Sequence, residues 1–244
     1  MEEQTHNVGD ILLDRYQILS ILGQGGLGIT YRALRLGDRT QVAIKSLALR
    51  GAKSWKAIEL FEREAKVLAN LHHPAIPSYV DYFEIDSVTD RRFYIVQELV
   101  EGQSLSQMMD NGWHGAESEI QAIAQEILNI LTYLHGLRPP VVHRDIKPQN
   151  IIRRADGRIF LVDFGAVQDT YRQTEVGSST VVGTYGFMAP EQFRGKALPQ
   201  TDLYALGATV IYLLTGDRPP TYPKRNSKSI STPLCRCRKA LPSG

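Results

Sequence analysis

The feature that most limits how this chain can fold is a change of period part-way along it. From Tyr16 to Leu99, short β-branched and aromatic runs recur at 16–22, 29–35, 41–47, 78–85 and 93–99, separated by turn-forming residues. One helix interrupts them. Ser54 is its predicted N-cap, Trp55, Ile58, Phe61, Ala65, Leu68 and Leu71 recur at steps of three and four, and Pro74 stops it. After the connector Glu101-Gly102-Gln103-Ser104 the period becomes helical, with Ile120, Ile123, Ile127, Ile130, Leu131 and Leu134 marking a helix over 117–137. Two apolar runs, 151–152 and 159–162, flank Asp156-Gly157, a strong hairpin signal. An apolar helix over 202–214 follows. The pattern predicts an α+β chain of two lobes: a five-stranded antiparallel sheet with one helix, then a mainly helical lobe. The expected boundaries are an extension at 1–15, lobes at 16–100 and 101–220, and a tail at 221–244.

Composition removes several classes. At 43% hydrophobic and 22% charged, 244 residues make an ordinary globular chain. The charge-free run Leu203–Gly216 has 14 residues, short of the roughly 20 a bilayer requires, so no membrane partner is expected. The N-terminus, M-E-E-Q-T-H-N-V-G-D, has neither basic region nor apolar run, and the expected compartment is the cytoplasm. Residues 221–244 carry six basic residues and no acidic one, which leaves 22 basic against 26 acidic in the remainder. That mildly acidic body argues against a nucleic-acid partner. The two cysteines, Cys235 and Cys237, lie in the tail as C-R-C, without the spacing or companions of a zinc site.

The candidate chemistry begins at Gly23-Gln24-Gly25-Gly26-Leu27-Gly28, a G-x-G-x-x-G. A dinucleotide turn would lead from strand into helix. Here Ile29-Thr30-Tyr31-Arg32-Ala33 continues as a strand, so the glycines cap a hairpin, where bare backbone N–H groups can approach phosphate oxygens. A plain glycine-rich turn would look the same in isolation. Lys45 ends Val42-Ala43-Ile44-Lys45, 17 residues beyond Gly28, and in a buried cleft it needs a carboxylate, which Glu64 on the following helix can supply. Solvated surface residues are the alternative for both. In His143-Arg144-Asp145-Ile146-Lys147-Pro148-Gln149-Asn150, Asp145 can accept a hydroxyl proton and Lys147 can neutralise charge on a transferring phosphoryl group. Asn150 and, in Asp163-Phe164-Gly165, Asp163 offer the oxygen ligands Mg²⁺ prefers.

These motifs, in this order and followed by Ala189-Pro190-Glu191, resemble the eukaryotic-type protein kinase family over residues 16–216. The resemblance implies a bilobal kinase fold with ATP between the lobes. It implies that Leu22, Ala43 and Ile152 sandwich adenine, that Thr30 stands over it, that Glu98 and Val100 present backbone groups to its edge, and that the loop 23–28 and Lys45 meet the phosphates. Lys147 with Gly183-Thr184-Tyr185 is similar to the serine/threonine branch, and F-G-A-V, V-G-T-Y-G-F-M-A-P-E-Q and D-L-Y-A-L-G-A-T are similar to cyanobacterial members. Protein Ser/Thr hydroxyls are then the substrates, Asp145, Lys147, Lys45, Glu64 and Thr184 the catalytic set, and ATP with Mg²⁺ on Asn150 and Asp163 the cofactors.

The family pattern and the departures from it shape three further expectations. Thr30 stands for the usual Val, and Leu27 for the usual aromatic, which should tune nucleotide affinity. Thr180 matches the family's activating position, where an added phosphate would pair with Arg144. After Gly216-Asp217-Arg218-Pro219-Pro220 no helical period returns, so a lower lobe cut short is expected, with the 202–214 helix partly uncovered and Glu191 without the family's arginine. A nucleotide-binding remnant or scaffold with little catalysis is the competing function.

Overall fold

In the computed structural model, residues 6–25, 28–48, 55–86, 91–169 and 183–217 are described. The N-terminal part is an antiparallel sheet of β1 (Ile11–Leu12), β2 (Tyr16–Gly25), β3 (Gly28–Arg35), β4 (Gln41–Ala48), β5 (Tyr79–Asp86) and β6 (Arg91–Glu98), in the order β1-β2-β3-β4-β6-β5. Five of these match the predicted runs. The sixth, β1, pairs Ile11 with Gln17 and Leu12 with Tyr16, and two residues are too few to show a period.

The two faces of the sheet serve different ends. Ile29, Tyr31 and Ala33 of β3 join Val42, Ile44, Tyr94 and Val96 in one apolar cluster, which Leu12 and Tyr16 help close. His6 seals its edge: the backbone N–H donates to Tyr31 Oη at 3.2 Å, and Nε2 lies 2.8 Å from Tyr94 Oη. The opposite face carries Lys45, which is directly paired with Thr30 across the ladder. Helix α1 (Trp55–Leu68) packs Ile58, Phe61, Ala65 and Leu68 into the second cluster, which runs on into the lower lobe. At about 1.5–3 kcal/mol for each fully buried large side chain, this shared core is what fixes α1 over the cleft.

The lower lobe follows the predicted helical period. β7 (Gln103–Ser104) leads into α2 (Leu105–Asp110), started by a reciprocal cap between Ser104 and Gln107. α3 (Glu117–Gly136) buries the six aliphatic residues that mark it in the sequence. β8 (Val141–Val142), the hairpin β9 (Ile151–Arg153) and β10 (Ile159–Leu161), and β11 (Gln168–Asp169) form two small sheets, β10-β9-β7 and β11-β8. The hairpin turns at Gly157, whose φ of +87° favours glycine. α4 (Pro199–Thr215) packs against α3 with Ala205, Leu206, Tyr212 and Leu213 buried. Its Leu203, Tyr204, Ile211 and Leu214 are about half exposed. Among the described residues no helix is long and apolar enough to cross a membrane. The expectations for Ser54, Thr180, Gly26, Leu27 and the tail from 221 onward lie outside the described residues.

Candidate active site

The glycine loop is shaped by its contact with β4. Gly25 pairs with Gly28 at the end of the β2–β3 ladder, and Gly23 pairs with Thr30. Gly28 has φ +116°, and a Cβ there would stand 1.8 Å from the carbonyl oxygen of Ser46, so no side chain fits. Gln24 lies exposed on the same strand end. One residue back from Ser46 is Lys45, so Gly28 and the lysine are fixed relative to each other.

Lys45 is held between two carboxylates. Its Nζ donates to Glu64 Oε1 and Oε2 at 2.9 and 2.8 Å and to Asp163 Oδ1 at 2.7 Å. Burial alone would lower the lysine, but the Asp163 and Glu64 charges outweigh it and hold Lys45 above its ordinary value. Burial pushes Glu64 up to about 6, against the pull of Lys45. The Lys45 ammonium holds Asp163 well below the usual carboxylate range, so Asp163 is ionised at any physiological pH. The expected Lys45–Glu64 pair is thus present, and Asp163 joins it.

The segment 143–150 forms a closed polar triangle with the loop at 184. Lys147 Nζ donates to Asp145 Oδ2 and to Thr184 Oγ1, both at 2.7 Å, and Thr184 Oγ1 donates to Asp145 Oδ1 at 2.8 Å. Asn150 Nδ2 donates to the Asp145 carbonyl at 2.9 Å and to its Oδ2 at 3.1 Å, which turns the amide oxygen the other way. The hairpin brings Asp163 alongside. Ile151 pairs with Leu161, and the N–H of Val162 donates to the Asn150 carbonyl at 2.9 Å, so Asn150 and Asp163 share its open end.

A residue that the sequence reading passed over holds this arrangement. Asp202, fully buried in the first turn of α4, accepts from the N–H of His143 at 2.9 Å and of Arg144 at 2.7 Å, and its Oδ2 also lies 2.9 Å from His135 Nε2. Arg144 has φ +70° and Asp163 φ +64°, conformations that cost non-glycine residues about 1–3 kcal/mol each and persist only when surroundings impose them. His143 packs its ring edge against Phe164 at 4.7 Å between centroids, and burial lowers its pKa. Gln192, also fully buried, donates to the Arg144 carbonyl at 2.9 Å and accepts from the N–H of Ala189 at 2.8 Å. In the sequence Asp202 shows only as the first residue of D-L-Y-A-L-G-A-T and as an acid heading an apolar helix, which reads equally well as a favourable charge in the first turn.

The remaining expected residues are more scattered. Leu22 sits at a bulge of β2 and is 42% exposed, Ala43 is buried on the face of β4 that carries Lys45, and Ile152 is half-buried in β9. Val100 follows β6 in the connector. Glu98 donates its N–H to the Ser78 carbonyl at 2.8 Å, and its Oε2 accepts from the Ser78 hydroxyl at 3.1 Å, so of its backbone groups only the carbonyl can serve a ligand. Glu191 meets the head of α4 through a hydroxyl. Its Oε1 accepts from Thr201 Oγ1 at 2.9 Å, and Thr201 is fully buried, so this carboxylate has a partner on α4.

Comparison with known proteins agrees with the geometry. The protein kinase domain model matches residues 16–240, which extends beyond the 216 reached by the motifs. The chain is 41% identical over 222 residues to serine/threonine-protein kinase D of Synechocystis sp., covering 85% of this chain and 42% of that protein. It is 37% identical over 222 residues to serine/threonine-protein kinase PknA of Nostoc sp., covering 86% and 38%. It is 35% identical over 213 residues to serine/threonine-protein kinase PrkC of Bacillus subtilis, covering 87% and 32%. The chain therefore spans about two fifths or less of the length of these curated relatives.

Proposed function

The chain belongs to the protein kinase domain family, and from that premise we propose that it transfers the γ-phosphoryl group of ATP to serine or threonine hydroxyls of protein substrates. The observation that carries this reading is the triangle of Asp145, Lys147 and Thr184. A carboxylate that accepts from a hydroxyl and an ammonium at once is built to receive a second hydroxyl, that of the substrate, beside a cation that offsets phosphoryl charge. Asp145 orients the substrate hydroxyl and takes its proton, Lys147 contacts the transferring group, and Thr184 fixes both.

The donor set near Asp163 fits a magnesium ion carried with the nucleotide. Mg²⁺ is commonly bound by one or two protein oxygens plus substrate phosphates, and Asn150 with an obligatorily ionised Asp163 supplies two. The ion would neutralise phosphate charge as it builds up. Lys45, steadied by Glu64, reaches the phosphates under the glycine loop, while Leu22, Ala43 and Ile152 border the base and the connector at Glu98 and Val100 meets its edge. Thr30 lies beside Lys45 on the ladder and lines the same space.

Phosphate transfer from labelled ATP to a generic Ser/Thr protein tests this reading, together with a nucleotide-binding assay. Asp145→Asn should abolish most transfer and leave MgATP binding nearly intact, because Asp145 serves the acceptor. Asp163→Ala should weaken MgATP binding as well, because a metal ligand is lost. No transfer by the unaltered chain despite tight MgATP binding would favour a scaffold, and equal loss of binding in both variants would overturn the division of roles.

A further inference from the structure

A second concavity lies behind α1. The described residues enclose about 600 Å³ there, within the range of small-molecule sites. Its apolar lining is Val67 and Leu71 from α1 and its end, Leu137 and Pro139 from the passage between α3 and β8, and Val141 of β8. Lys66 stands on its α1 rim, two residues and therefore about 200° round the helix from Glu64, on the side away from the cleft. Arg138, after α3, lines it as well.

The charges of the lining are unequally committed. Arg63 is paired with Glu59 at 3.0 Å, while Glu62 also lines the cavity and leaves the lining one positive charge in excess over Glu59, Glu62, Arg63, Lys66 and Arg138 together. Lys66 and Arg138 are exposed, and among the described residues no hydrogen bond or ion pair engages either side chain. Two cations without a partner among the described residues, Lys66 on α1 and Arg138 after α3, beside the apolar part of a mixed lining are complementary to an anionic head on an apolar body.

We propose that this cavity is a second binding site, for a small aliphatic or aromatic carboxylate, and that its occupation tightens nucleotide binding in the cleft. The head lies between Lys66 and Arg138, and the body covers Val67, Leu71 and Leu137. Lys66 shares a rigid helix with Glu64, whereas Arg138 leads through β8 into the segment 143–150. A ligand that bridges them ties α1 to the lower lobe and holds Glu64 against Lys45. Coupling of this kind is reciprocal, so MgADP must tighten carboxylate binding by the same factor. The binding half of the proposal stands by itself, whereas the coupling half rests on the nucleotide reading above.

Decanoate is the probe, titrated calorimetrically into the full chain, with decanol and acetate as partners that lack head or body. Decanoate should bind more tightly than either. Lys66→Glu and Arg138→Glu should each weaken it about fivefold or more, and Leu137→Trp, which crowds the apolar lining, should remove it. Saturating decanoate should raise MgADP affinity, and MgADP that of decanoate, by one common factor of about five or more. Decanol binding as tightly as decanoate, or decanoate binding unchanged by both Lys66→Glu and Leu137→Trp, overturns the site. Decanoate binding with no change in MgADP affinity overturns the coupling. Decanoate binding to a chain that takes up no MgADP would instead strike at the nucleotide reading and leave the cavity's assignment standing.

Discussion

Replacing Asp202 by Asn should damage catalysis from beneath the site, without touching a group that meets substrate. The carboxylate's two oxygens serve three partners, the N–H groups of His143 and Arg144 and the ring of His135. An amide keeps one acceptor. If it stays on the His143 side, an NH₂ group faces the Arg144 N–H, donor to donor, in a site closed to water. One unsatisfied buried N–H costs about 1–3 kcal/mol, and loss of charge assistance on the other bonds adds about 1 kcal/mol, so about 2–4 kcal/mol is at stake. At about 2–4 °C per kcal/mol for a chain of this size, Tm should fall by roughly 4–16 °C. Arg144, with φ +70°, is the residue whose restraint is lost, and Asp145 follows it directly. A displacement of about 1 Å at Asp145 is enough for about a hundredfold loss of rate. Nucleotide binding, which on the proposed reading leans on Lys45 and the glycine loop, should change little. The assay pairs thermal unfolding with phosphate transfer and MgATP titration on the same preparations. A Tm within about 1 °C of the parent with an unchanged transfer rate would show that Asp202 does not restrain the loop, and the reasoning would fail.

Three other outcomes are accessible to the same measurements. Thr184→Ala opens the triangle at Asp145 and Lys147 and should lower transfer well beyond any effect on MgATP affinity, whereas Thr184→Ser keeps the hydroxyl and should restore most of it; equal activity of the two would remove Thr184 from the site. Gly28→Ala must meet both a φ of +116° and the Ser46 carbonyl, so unfolding temperature and nucleotide affinity should fall together, and an unaffected Tm would refute the fit. Glu64, with its folded pKa raised from 4.5 to about 6, carries a stability contribution that is present below about pH 4.5 and lost as pH rises through about 6. Its pairing with Lys45 runs the other way. MgATP affinity should therefore weaken as pH falls through about 6, and Glu64→Gln should flatten that dependence; an identical profile in the variant would assign the titration elsewhere.

Much of the site could be read in advance because its parts are joined by short, local rules. Lys45 needed a carboxylate once its strand was seen to be apolar, and Glu64 lies on the helix that next crosses that face. The Asp156-Gly157 turn fixed a hairpin, and from its register alone Asn150 and Asp163 had to meet at the open end. Each inference spans one turn or one helix. The second carboxylate at Lys45, Asp163, was expected from the sequence as a metal ligand but not as an ion-pair partner, because it lies 118 positions away and only the lobes' packing brings it in.

What stayed hidden has a common physical cause. β1 and the His6 contacts to Tyr31 and Tyr94 rest on two-residue pairing and on hydroxyls buried by residues far along the chain, and neither leaves a periodic trace. Asp202 is the sharper case, since its partners are backbone N–H groups, which every residue but proline possesses, so nothing in 143–144 announces the need for a buried acid. The positive φ of Arg144 is similarly silent, because arginine is not a residue that advertises a left-handed turn. Backbone held in a costly shape by a distant buried charge can be written in almost any side chains. It follows that the residues most easily recognised here are those that would touch nucleotide and substrate, while the residues that set their positions, Asp202 and Gln192, are recognisable only once α4 and the 189–195 turn are seen packed beneath the loop.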